Sequence, residues 1–269
     1  MKILIAWELG ANFGHLLRQL PIARNLRARG HDVLFVVKDV ALARQTLDAD
    51  DISFVQAPVP RVKKKPDREI SSFADILVTH GFDEEDALHS LVLAWQHLYR
   101  LHATDVVVIE HAPGAMLAAR LSGIPTANVS MGFDLPPPAS PYPCFRPWLG
   151  LPPSVFLQTE ASILSNINAL CTAQRRPHFS KLFEFMASDA ELLCTLPEID
   201  HYRERIDGRY VGPLFTTDAG LSVEWPTGYA KHVLVYVRCP VRTTDTRIFN
   251  ATRAFFLKRF SDFFKETQP

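Results

Sequence analysis

The chain has 269 residues, 47% of them apolar, which is enough for one large domain, or one domain and part of another, around a real core. Lys plus Arg and Asp plus Glu stand at 29 each, so no global field favours nucleic acid or an anionic membrane, and no nucleic-acid partner is expected. The four cysteines, Cys144, Cys171, Cys194 and Cys239, form no CxxC pair, which argues against a zinc knuckle or a disulfide framework. No apolar run approaches the roughly 18 residues that span a bilayer, so a cytoplasmic protein with reduced thiols and no transmembrane segment is expected.

Taken in chain order, Lys2 to Trp7 is an apolar run that reads as a strand, and Glu8 to His15 is a loop carrying Gly10 and Gly14. The next helix places Leu16, Leu20, Ala23 and Leu26 on one face, with Arg18, Arg24, Asn25 and Arg27 mostly off it, and Gly30 as its stop. Val33 to Val37 is a second strand, Val40 to Ala49 a short helix and Ile52 to Val55 a third strand. Pro58 to Asp67, with Lys63 to Lys65, is a solvated loop. Helical patterns follow at 70–79 and 84–103, the second with Leu88, Leu91, Trp95 and Leu98 at core spacing. Val106 to Ile109 is a fully buried strand, Gly114 to Leu121 a helix opened by Pro113 and closed by Gly123, and Thr126 to Val129 a fifth strand.

Eight of the twenty residues from Asp134 to Pro153 are proline, which rules out a helix interior or a central strand and predicts a long stiff loop. Helices are expected at 159–174 and 178–187, a strand at Glu191 to Thr195, and the end of the compact unit at Tyr210 to Pro213. The alternation of strands and helices predicts an α/β protein with a Rossmann-like, doubly wound parallel sheet over residues 1–215. Residues 216–230 read as a linker. One more strand, Val233 to Val237, and a tail bearing Phe249, Phe255, Phe256, Phe260, Phe263 and Phe264 complete the chain, and the tail is expected to pack on the first domain or to mediate self-association.

Several separated segments resemble one family, the GT-B class of nucleotide-sugar-dependent glycosyltransferases, in particular its bacterial UDP-glucuronosyltransferase-like and macrolide glycosyltransferase-like branch. They are Gly14-His15-Leu16 with Pro21-Ile22-Ala23, Arg29 to Val33, and Glu110-His111-Ala112-Pro113 with Ala118-Ala119-Arg120 and Gly123-Ile124-Pro125. Gly132-Phe133 with Pro136-Pro137, and Pro197 to Asp200 leading to Tyr210 to Pro213, belong to the same set. The resemblance implies two Rossmann-like halves across a cleft, the N-terminal one for the acceptor and the C-terminal one for the sugar nucleotide. It also implies a UDP-sugar as co-substrate with no further cofactor, and a small-molecule acceptor. Within residues 231–269 only Val233 to Val237 match the start of the donor half; the family's donor machinery has no counterpart after Pro240, where a phenylalanine-rich helical tail follows. The resemblance therefore further implies a chain that is incomplete alone, completed by a donor-domain partner chain or a homo-oligomer.

Inverting glycosyl transfer needs a base for the acceptor hydroxyl's proton and a stabilised diphosphate leaving group. The resemblance implies that His15 is that base, and at a helix N-terminus the dipole disfavours imidazolium. Glu110 matches the acid that orients the ring, where the family more often shows Asp. Strands one and four neighbour each other in the common doubly wound orders, so the two side chains should converge. Asn12, Phe13, Gly14, His111, Gly132 and Phe133 are expected around the acceptor; Gly10 and Gly14 equally suit a turn needing positive φ. Without the resemblance, His15 reads as a helix-terminal residue bonded to its own loop, and Glu110 as a plain charge at a strand end. His89, His97 and His102 lack ligand spacing, so no metal is expected. The sequence leaves two rival functions. A dinucleotide oxidoreductase lacks the GxGxxG spacing, and a non-catalytic acceptor-binding remnant would lack the donor site.

Overall fold

A computed structural model of the chain describes residues 1–60, 62, 68–203, 205, 207–214, 225 and 227. Contacts divide the chain into two units, Met1–Asp218 and Ala219–Pro269, and every described element belongs to the first. The expected linker, the strand at Val233 to Val237, the phenylalanine-bearing tail, Cys239 and Lys63 to Lys65 lie outside the described residues, or nearly all so in the case of the linker. No described helix is long and apolar enough to cross a membrane.

The elements are β1 (Lys2–Trp7), α1 (Gly14–Ala28), β2 (Asp32–Val37), α2 (Val40–Leu47), β3 (Phe54–Gln56), α3 (Phe73–Thr79), α4 (Glu85–His102), β4 (Val106–Glu110), α5 (Pro113–Ser122), β5 (Thr126–Ser130), α6 (Pro153–Ala173) and β6 (Ala190–Leu193). The six described strands form one parallel sheet in the order β3-β2-β1-β4-β5-β6. The chain leaves β1 towards β2 and β3, then returns to its other side at β4. The switch in direction opens a crevice at the carboxyl ends of β1 and β4, where open α/β sheets bind ligands.

Strand side chains alternate between faces, and this parity decides what the crevice contains. Ile3, Ile5 and Trp7 of β1, Val33, Phe35 and Val37 of β2 and Val108 of β4 pack with Leu16, Leu20 and Ala23 of α1 and with Ala43 and Leu47 of α2. Leu4, Ala6, Val107 and Ile109 pack on the other face with Leu91 and Trp95 of α4, Met116 of α5 and Ile163 of α6. By the same count Glu8 continues onto the α5 face, and Glu110, two residues beyond Val108, onto the α1 face.

Several boundaries differ from the sequence reading, those of the second helix and of the third and sixth strands by one or two residues, and three other differences have a local physical reason. α6 begins at Pro153 rather than at 159, because a proline at the first helical turn lacks only an N–H that has no partner there anyway. The segment expected as a helix over 178–187 is a short 3-10 turn, Leu182–Met186; Leu182, Phe185 and Met186 are buried at spacings of three and four without a full helix beneath them. α3 starts at Phe73, fixed by a capping box in which Ser72 accepts from the amide of Asp75 and the Asp75 carboxylate returns to the Ser72 amide.

Candidate active site

His15 lies in the first turn of α1, and its Nδ1 is 2.8 Å from Oε1 of Glu110 at the end of β4. Glu110 is fully buried. A carboxylate only accepts, so Nδ1 carries the hydrogen of this bond, and in the neutral ring Nε2 is the acceptor. The imidazole stacks on the Trp7 indole with centroids 5.2 Å apart and planes at 17°, while the Trp7 N–H donates to the Leu9 carbonyl at 2.6 Å. Ring orientation is thus set from the edge by Glu110 and from the face by Trp7.

Two further α1 residues meet the same carboxylate. Nη1 of Arg18 donates to Oε1 at 3.0 Å and to Oε2 at 2.8 Å; Nε2 of Gln19 donates to Oε2 at 2.8 Å and to the Val129 carbonyl at 3.3 Å. Both side chains are buried. This corrects the sequence reading, in which Arg18 fell off the buried face of α1. The available signal was spacing: His15, Arg18 and Gln19 stand at i, i+3 and i+4, one polar stripe able to face a buried acid. Burial pushes the Glu110 carboxyl above its ordinary range; the His15 hydrogen bond and the Arg18 charge pull it back, and Asp134 adds to the rise.

Gly10 lies beneath His15 at φ +81°, and a Cβ there would stand 2.1 Å from Nε2. Gly14 has no such constraint: it is helical, and nothing lies within 4 Å of where its Cβ would be, so the expected positive φ belongs to Gly10 and, unexpectedly, to Asn12 at 77°. Asn12, Phe13 and Gly14 are exposed at the mouth of the crevice.

His111 follows Glu110 with φ 45°, an uncommon conformation for a side-chain-bearing residue. Its amide donates to Asp134 at 3.2 Å, and its carbonyl accepts from the Leu9 amide at 3.0 Å. These bonds turn the ring towards His15, 5.9 Å away, and Phe133, 6.2 Å away at 90°. Its Nε2 is buried without a partner, and burial pushes the imidazolium down to about 4, so the ring is neutral near pH 7. Phe133 also meets His201 at 4.8 Å and Phe145 at 5.5 Å, which extends a line of rings from Trp7 to the exposed His201.

Gly132, at φ +99°, is packed against Asp200 and Arg205. Arg205 donates to both Asp200 oxygens and to the Gly132 carbonyl, at 2.9 to 3.2 Å, and also to the Leu135 carbonyl. Gly132 is therefore a clamp point of the loop that presents Phe133. Glu8 fills the other side of the crevice, accepting from the Gly114 and Ala115 amides at 2.8 and 2.9 Å, so the N-terminus of α5 holds an internal carboxylate. A cavity of about 1030 Å³ lies elsewhere, along β6, with Leu121, Leu135, Phe183 and Leu193 in its wall; it contains none of His15, Glu110 or His111.

No family model matches the chain, and no curated protein matches it. Solved structures do. CalG4, the calicheamicin glycosyltransferase, is 15% identical with a TM-score of 0.50, over 78% of this chain and 51% of that one. The glycosyltransferase SnogD from Streptomyces nogalater is 16% identical with a TM-score of 0.46, over 84% and 55%. SsfS6 of Streptomyces sp. SF2575, complexed with thymidine diphosphate, is 17% identical with a TM-score of 0.43, over 74% and 50%. The chain thus spans about half the length of these structures. At such identities the likeness is one of architecture, and the fold it shows is the Rossmann-like α/β fold with its six-stranded parallel sheet.

Proposed function

We propose that residues 1–214 form the acceptor-side half of a sugar-transfer site, in which His15 takes the proton of a small-molecule hydroxyl. The observation that carries this reading is the hydrogen bond from Nδ1 of His15 to the buried Glu110, which makes Nε2 the acceptor of the neutral ring. The acceptor oxygen attacks the anomeric carbon of a nucleotide-diphosphate sugar as its proton passes to Nε2. The new carbon–oxygen bond forms while the bond to the diphosphate breaks, and the leaving group departs with that electron pair. As imidazolium forms, Glu110 supports its charge through Nδ1. Asn12, Phe13, Gly14, His111, Gly132 and Phe133 surround the acceptor, and the family resemblance supports a UDP-sugar as donor. The donor is bound outside this lobe, by other residues of the protein or by a partner chain.

The test is transfer from labelled UDP-sugars to small hydroxyl acceptors, with the chain alone and with a donor-binding half supplied. His15→Gln should lower turnover by about 10²- to 10⁴-fold, the usual contribution of a general base, and leave the circular dichroism spectrum unchanged. Equal turnover in the folded variant removes His15 from the mechanism.

A further inference from the structure

We infer that Arg18 is a positioning residue, which acts through Glu110 to fix the tautomer of His15; its meaning for turnover rests on the proposed sugar transfer. Glu110 is fully buried, and its two oxygens receive Arg18, Gln19 and His15. Of the charged groups that face it, Asp134 is another acid and His15 is the ring it must orient. Arg18 is the permanent cation of this set, and it touches both oxygens from the helical turn that follows His15. Gln19 contributes a hydrogen bond and no charge.

With Arg18 in place the carboxylate is ionised, Nδ1–H donates to it, and Nε2 is bare. Without that charge, a carboxylate shut away from water is costly, and the His15–Glu110 pair gains a proton from solvent. The proton has two places to rest. On Glu110, the carboxyl O–H donates to Nδ1 and the ring carries its hydrogen on Nε2. On His15, the imidazolium carries hydrogens on both nitrogens. In either state Nε2 is occupied and no longer accepts a proton. Arg18 therefore decides whether the second nitrogen of His15, Nε2, is a base. The glutamate suits this arrangement because its longer side chain meets α1 at both His15 and Arg18.

The experiment reads the imidazole nitrogens of His15 by NMR, in full-length protein with ¹⁵N-labelled histidine at pH 7.5, without donor or acceptor. Wild type should show a protonated Nδ1 and a bare Nε2. Arg18→Met should move the Nε2 signal to the protonated position, Arg18→Lys should restore the bare one, and Gln19→Met should leave it bare. A protonated Nε2 in wild type, or a bare one in folded Arg18→Met, overturns the assignment. Should Arg18→Met not fold, Arg18→Gln gives the same reading with a donor but no charge; failure of both to fold assigns Arg18 to stability instead. Because the measurement uses no substrate, absence of transfer would sink the proposed function and leave this assignment standing.

Discussion

Gly10 and His111 show how closely single residues are constrained around His15. A methyl group on Gly10 would overlap Nε2 at 2.1 Å, and the backbone there is left-handed. Gly10→Ala should therefore turn the ring away from its stack on Trp7, destabilise the fold by about 1 kcal/mol or more from the conformation alone, and lower transfer further than stability explains. Trp7 fluorescence, urea unfolding and turnover check this together; an unperturbed indole and full turnover would remove the steric argument. For His111 the sign of the pH effect follows from burial. Its folded value of about 4 lies below the roughly 6.5 of an unfolded histidine, so the unfolded chain binds the extra proton as pH falls between them. The contribution is complete above about pH 6.5 and is lost towards 4. Wild type should lose about 2 kcal/mol more than His111→Leu on going from pH 7.5 to 5, measured by denaturant unfolding. Equal losses would mean that the ring is solvated.

Two buried carboxylates, Glu8 and Asp200, anchor the elements and loops around the crevice. The Glu8 carboxylate closes the N-terminus of α5, and a Cβ on Gly114 would come within 2.6 Å of its Oε1 and 2.7 Å of Leu91 on α4. Gly114→Ala should cost about 1–3 kcal/mol, despite alanine's better helix propensity, because both neighbours must move. A stabilised variant would contradict the tight packing of α4 on α5. The second anchor is Asp200. Burial alone would raise its carboxyl, but Arg205, the Tyr202 amide and the Tyr210 hydroxyl outweigh it and hold the group below its ordinary range. Its contribution is present above about pH 4 and lost as pH falls through the lowered value. Asp200→Asn should cost about 1.5–3 kcal/mol at pH 7, and that gap should shrink at pH 3.

Element order was legible because apolar runs and stop signals are local, and the neighbouring of β1 and β4 followed from the common topology. The convergence of His15 and Glu110 was legible for the same reason. Arg18 and Gln19 were not, since whether a polar side chain on a helix meets water or a buried acid depends on a strand about ninety residues away. Nor was the 3-10 turn at Leu182–Met186, where burial at helical spacing imitates a helix without one.

For the whole molecule, the parallel sheet divides the first unit into two apolar layers, with α1 and α2 on one side and α3 to α6 on the other. The described side chains of both layers come from residues 1–214, and so do the described polar anchors of the crevice. A fragment ending at Asp218 should therefore unfold cooperatively, with coincident circular dichroism and fluorescence transitions. The same fragment should not bind a nucleoside diphosphate. Glu8 occupies the N-terminus of α5, the loop from Gly10 to Gly14 lacks the glycine spacing of a phosphate cradle, and the ammonium of Lys38 is bonded to the Gly10 carbonyl at 2.8 Å. Calorimetric titration with UDP decides the matter: no heat beyond dilution is expected, whereas a micromolar constant, about −8 kcal/mol, would move the donor site into this lobe and reverse the assignment of its crevice to the acceptor.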